Sequence, residues 1–137
     1  MIRFHTLRWQ NFLATGSVPN ELALDKARPT LIVGDNGAGK TTFIDALCFA
    51  LFNRPYREIV RAKLVNNKTQ RNLLVECEFS IGQVRYKVRR GIKPNVFAIY
   101  ADDKLIDQSA DARDFQAMLE NDILKIDYKT FTQIVIL

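Results

Sequence analysis

Cysteine occurs only twice in the 137 residues and histidine only once. Cys48 and Cys77 stand far apart, and neither they nor His5 has a neighbour at metal-ligand spacing, so nothing here points to a metal centre built on these side chains. Cys48 lies in the apolar run Ala46–Ala50, and Cys77 alternates with Val75 and Phe79. Both are expected to be buried free thiols in a reducing compartment. No stretch approaches the roughly 18 apolar residues that a membrane span needs. The start, Met1-Ile2-Arg3-Phe4-His5, has no long apolar core and no small-residue cleavage site. A soluble, cytoplasmic protein with no membrane partner is therefore expected. Repeats and low-complexity tracts are absent as well, which argues against a solenoid or a disordered tail. His5 and Trp9 have no partner at a catalytic spacing and read as structural.

What is present suits one globular domain. Apolar residues make up 47% of the chain, enough for a core. Twenty Lys and Arg against fifteen Asp and Glu leave a charge of +5. That mild excess suits an anionic partner such as a nucleotide or nucleic acid without requiring one.

Residues 2–12 and 20–25 read as two short strands separated by turn-forming residues. Pro29 introduces Thr30-Leu31-Ile32-Val33, a continuous apolar run of the kind that forms a strand buried on both faces. From Lys40 the period becomes helical, with Phe43, Ala46, Leu47, Ala50 and Leu51 on one stripe that Ile44 and Phe49 widen. This predicts an amphipathic helix against a sheet, fading at Asn53-Arg54-Pro55. Residues 73–81 and 84–89 alternate about Gly82-Gln83 and predict a hairpin with one buried and one solvated face. Asn95–Ala101 and Lys104–Ile106 predict a second hairpin about Asp102-Asp103. Ser109 or Asp111 is expected to cap a helix containing Phe115, Met118, Leu119 and Ile123. The chain stops on four aliphatic residues, Ile134–Leu137, and reads as a cut end.

The strongest signal is Gly34-Asp35-Asn36-Gly37-Ala38-Gly39-Lys40-Thr41, which fits G-x-x-x-x-G-K-[ST] with no mismatch. The expected buried strand precedes it and the expected helix follows it. Gly34, Gly37 and Gly39 let the backbone approach phosphate oxygens that a Cβ would hold away. Consecutive N–H groups and the helix N-terminus then form an anion nest. Lys40 would reach the β- and γ-phosphates of ATP, and the Thr41 hydroxyl would join the shell of Mg²⁺. The expected nucleotide-binding residues are Gly34, Asn36, Gly37, Ala38, Gly39, Lys40, Thr41 and Thr42.

Two features are less specific. Gln133 sits in a short apolar segment after a helix, where a lone glutamine often only solvates a surface. Arg85, Lys87, Arg89, Arg90 and Lys93 would place cations on one hairpin face, as a DNA-phosphate contact or simply a solvated one. The carboxylate that phosphoryl transfer requires is missing. Neither Ile106-Asp107 nor Ile126-Asp127 ends a convincing apolar strand.

The run from Gly34 to Phe52, with Asn36-Gly37 inside the loop and Asp45-Ala46-Leu47 after it, resembles the SMC-like ATPases of double-strand-break repair, the SbcC or Rad-fifty type. Gly91–Phe97, Asp114-Phe115-Gln116 and Phe131–Leu137 resemble its phage members, the large subunits of T-even-type recombination endonucleases. The resemblance implies an ATPase head made from the two ends of a long chain, joined by a coiled coil. The first lobe supplies the P-loop and a Q-loop glutamine that contacts Mg²⁺ and the attacking water, a role that falls to Gln133. The signature motif, Walker B carboxylates and switch histidine belong to a C-terminal lobe. The resemblance also implies an ATP-dependent head-to-head dimer, double-stranded DNA, and a partner Mre-type nuclease. Family members often carry Asn-Phe-Arg near the start, with the Arg near the nucleotide; here the run is Asn11-Phe12-Leu13. Arg61 and Lys63 have no assigned role.

The expectation is an α/β P-loop NTPase. Residues 1–137 would form the N-terminal lobe of an ABC/SMC-type ATPase head, Walker A to Q-loop, with a largely antiparallel sheet plus the P-loop strand and helix. Lys40 and Gln133 are the expected catalytic residues, and Thr41 and Gln133 the metal contacts. Alone, this half would be inactive. The alternative is a stand-alone nucleotide- or DNA-binding module with no ATPase activity of its own.

Overall fold

The computed structural model describes residues 2–13, 16–24, 38–106 and 112–135. Among the described residues six strands form one sheet: β1 (Ile2–Gln10), β2 (Asn20–Ala23), β3 (Leu73–Ile81), β4 (Val84–Ile92), β5 (Val96–Ala101) and β6 (Lys104–Leu105). Their order is β2-β1-β3-β4-β5-β6, and every pairing is antiparallel. The expected strand over residues 30–33 lies outside the described residues.

Turn chemistry sets the register. Ile81 pairs with Val84 across Gly82-Gln83, and Gly82 takes φ +62°, a conformation open to glycine without strain. The second hairpin turns on Asp102 (φ 49°) and Asp103 (φ 68°), left-handed positions that Asp tolerates. Asp102 Oδ1 accepts the Arg85 N–H at 2.9 Å and ties the two hairpins together.

Antiparallel partners share a face. Leu7, Val75, Cys77, Phe79, Val88 and Ile99 therefore project together and are fully buried. Against this face lies α1 (Ala38–Phe52). As the width of its apolar stripe predicts, the helix is buried: every described side chain from Thr42 to Phe52 is covered, including Asp45. The sheet covers one side, while Phe12 and the later helices cover others through Phe12–Phe49 and Phe52–Phe131 ring contacts at 6.0 and 5.2 Å. Beyond α1, Asn53 adopts φ 61° and returns its N–H to Phe49 O, a left-handed helix stop two residues before Pro55.

The chain then makes a 3₁₀ turn at Arg61–Leu64 and, after the sheet, α2 (Ala112–Met118), which runs into a π-helical turn at Leu119–Leu124. Phe115, Leu119, Ile123 and Leu124 are buried here. The proposed caps Ser109 and Asp111 lie outside the described residues. Last comes α3 (Tyr128–Val135), so Gln133 follows the helix α2 as expected, but the segment that holds it is itself helical.

The opposite face of the sheet is charged but largely self-neutralised. One cross-strand row reads Glu21, Arg8, Glu76, Arg89. Arg8 lies 3.1 Å from Glu21 and 3.8 Å from Glu78, and Arg85 lies 3.5 Å from Glu78. Arg89 Nε faces Glu76 at 3.0 Å as a charge pair, its N–H not aligned on the oxygen. Lys87 rests over the Tyr100 ring at 5.1 Å.

Candidate nucleotide site

Ala38–Thr41 form the first turn of α1. The opening N–H groups of a helix have no intrahelical acceptors, and the aligned peptide dipoles add positive potential there. No acidic residue occupies that turn to offset it. Thr42 is buried at 8% exposure, just where the helix enters the core. Gly34, Asn36 and Gly37 lie outside the described residues, as do the side chains of Ala38, Gly39, Lys40 and Thr41.

The support behind the turn is better defined. Asp45 is fully buried within the apolar helix and accepts two hydrogen bonds from Arg57: the main-chain N–H at 2.8 Å and Nε at 2.6 Å. A lone buried carboxylate would be costly, and this pairing offsets it while pinning the 53–60 segment back onto α1. Sequence reasoning noted Asp45 only as part of a motif. The signal available was a carboxylate inside an otherwise apolar helix.

Asn11 and Phe12 are buried, Phe12 completely, and Leu13 lines a cleft of about 730 Å³ together with Lys63, Asn66, Gln70 and Lys93. Asn66 organises this end of the molecule. Its N–H donates to Asn11 O, its side-chain amide donates to Leu13 O, and its Oδ1 accepts from Lys68 and Thr69 N–H. Lys63 and Leu13 thus line the same cleft. Arg61 instead turns away, donating to Asn53 Oδ1 at 3.2 Å near the end of α1.

Gln133 is exposed on α3. The contacts that seat α3 lie at the C-terminal end of α1 and at the start of β1. Phe131 packs on Phe52 and Phe4, and Tyr128 donates to Pro55 O at 3.2 Å under the Arg54 guanidinium. α1 spans about 22 Å at 1.5 Å per residue, so this seat is at the opposite end from Lys40. Asp127, already an unpromising catalytic carboxylate, instead caps α3 by accepting Thr130 N–H at 2.7 Å.

The expected basic face needs one correction. Arg85, Lys87 and Arg89 do share the outer face, but Arg90 pairs with Val75 on the core face and is only 3% exposed. The arginine doublet breaks the alternation, and the second cation donates to Ala50 O and to the Gln116 side-chain oxygen. Lys93 lies beyond β4, in the cleft.

Residues 6–137 match the family model described as an AAA domain. Exonuclease subunit 2 of Escherichia phage RB69 is 38% identical over 135 residues, covering 98% of this chain and 24% of that protein. Exonuclease subunit 2 of Enterobacteria phage T4 is 36% identical over the same coverage. The probable DNA double-strand break repair Rad50 ATPase of Aquifex aeolicus is 30% identical over 116 residues, 78% of this chain and 11% of that protein. The chain thus spans about a quarter of the length of the phage relatives.

Proposed function

Since the chain belongs to the AAA-domain family, in its SbcC and Rad50-like branch, we propose that it is the N-terminal, ATP-binding lobe of an SMC-like DNA-repair ATPase. The observation that carries this is the complete P-loop in register with a buried helix beginning at Ala38. A first turn with no acidic side chain suits a polyphosphate. Gly34, Asn36, Gly37, Ala38, Gly39, Lys40, Thr41 and Thr42 would hold ATP, Lys40 by its charge, with Thr41 as the hydroxyl ligand of Mg²⁺. The ion would neutralise charge developing on the transferred phosphoryl group. Gln133 is the candidate for contacting Mg²⁺ and the attacking water on the resemblance alone, since the contacts that seat α3 lie at the end of α1 away from Lys40.

The remaining parts of the engine would come from the C-terminal lobe of the same protein. In the complete assembly, ATP would join two heads, and hydrolysis would control a partner Mre-type nuclease on double-stranded DNA ends.

The test is nucleotide binding by the chain itself. ATP with Mg²⁺ should bind the unmodified protein, and Lys40→Ala should weaken binding by at least about a hundredfold, the loss of a charge-assisted contact to phosphate. Equal affinity in the variant overturns the site assignment.

A further inference from the structure

The rear of α1 is held by groups the helix does not supply. A helix leaves its last four carbonyls without intrahelical donors. Here Phe49 O takes the N–H of Asn53 at 2.9 Å. Ala50 O takes Arg90 Nε at 3.1 Å, and Leu51 O takes Gln116 Nε2 at 2.9 Å. Arg90 comes from β4 and Gln116 from α2, so three elements meet at one helix end.

The same side chains continue outward. Arg90 Nη2 donates to Gln116 Oε1 at 2.5 Å, with its guanidinium 3.7 Å from the centre of the Phe97 ring. Gln116 Nε2 also reaches Glu120 Oε2 at 2.8 Å. Glu120 lies in the π-helical turn, and its main-chain carbonyl receives the N–H groups of Lys125 and Ile126, the residues leading into α3. A continuous polar path therefore joins α1 to the arm made of α2, the π turn and α3.

Such a path is an expensive way to fill a core. Burial draws the Arg90 guanidinium down to about 9, nearby Arg61 adding to the effect and Glu120 opposing it. Apolar side chains of similar volume generally stabilise a core as well as a buried ionic network does. π turns, for their part, gather at functional sites. What the polar version supplies is direction: each bond fixes one element relative to another.

We propose that Arg90, Gln116 and Glu120 are positioning residues that lock the rear of α1 to the α2–π-turn–α3 arm, so that nucleotide at the front of α1 is felt at α3. The lock stands on the geometry, while its coupling to nucleotide rests on the P-loop reading above.

The test compares the unmodified chain with Arg90→Met/Gln116→Met by hydrogen exchange and amide NMR. The double variant should unfold at the same denaturant concentration or higher and bind Mg²⁺-ATP within about twofold of the unmodified protein. Its α3 amides should exchange about tenfold faster while β3 and β4 keep their protection, and the α3 resonances should no longer move when ATP is added. A folded double variant with unchanged α3 protection overturns the lock. If the double variant does not fold, the single Gln116→Met, which removes the bonds to Leu51 O, Arg90 and Glu120 together, should loosen α3 selectively, and unchanged α3 exchange there overturns it equally. Loosening of α3 with no ATP binding by the unmodified chain would support the lock and sink the nucleotide reading instead.

Discussion

Gly91 shows how one atom can decide a strand pairing. A Cβ built at this position would stand 2.6 Å from Leu73 O, a main-chain atom of the neighbouring strand that cannot swing aside. Gly91→Ala must therefore part β3 from β4 locally, and overpacking of this kind costs about 1–3 kcal/mol. Gly16, with nothing within 4 Å of its virtual Cβ, is the control. Denaturant unfolding should show a lower midpoint for Gly91→Ala and little change for Gly16→Ala. The two thiols are decided by burial in the same way. Burial, with a smaller contribution from nearby Asp45, pushes Cys48 up to about 12, and burial pushes Cys77 up too. Only the thiolate attacks a disulfide reagent. At mildly alkaline pH neither cysteine should react with Ellman's reagent in the native protein, and both should react in guanidinium; rapid native labelling would contradict the packing described here.

Elements were legible in the sequence wherever periodicity and burial agreed. The two hairpins follow from strict alternation and from Gly82-Gln83 and Asp102-Asp103 at the turns. Arg90 escaped because alternation assigns a face only while each residue type fits its face, and a cation on the core side needs tertiary partners that the sequence does not display. The burial of α1 is legible in the width of its apolar stripe, but the burial of Asp45 is not, because its partner Arg57 is supplied only by the fold. Gln133 does follow a helix, α2, but the helicity of its own segment is not legible, because Tyr128–Val135 is too short for its period to show; the Asp127 carboxylate caps its start. That cap yields an element-scale prediction. The Thr130 N–H, and then its hydroxyl, hold the Asp127 carboxyl below its ordinary value. A depressed carboxylate contributes stability above the unfolded-state value and loses it as pH falls through the lower folded-state one. Amide protection in α3 should thus decline on acidification through and below the ordinary carboxylate range. Asp127→Asn, which keeps an acceptor but cannot ionise, should remove that pH dependence, and Asp127→Ala should loosen α3 at every pH.

At the scale of the whole molecule, a well-supported helix leads out of the P-loop motif, and several carboxylates among the described residues are engaged in other contacts. Asp45 is committed to Arg57, Asp127 to the α3 cap, and Glu76 and Glu78 to the arginines of the outer sheet face. A P-loop binds and neutralises phosphates, but hydrolysis also needs a carboxylate near the metal and a group that orients water. The expected behaviour is therefore a split one. The chain should bind Mg²⁺-ATP without measurable turnover, and adding the C-terminal lobe of the same protein should start hydrolysis. The mixture should also sediment as a larger species with ATP than without it, because the proposed dimer places nucleotide between two heads. Steady-state phosphate release and sedimentation velocity, on the chain alone and on the mixture, decide the matter. Robust hydrolysis by the chain alone would locate a catalytic carboxylate within these 137 residues and overturn the division of labour between two lobes. Silence in the mixture, despite ATP binding by the chain, would instead favour a module that binds nucleotide as a signal and leaves hydrolysis to others.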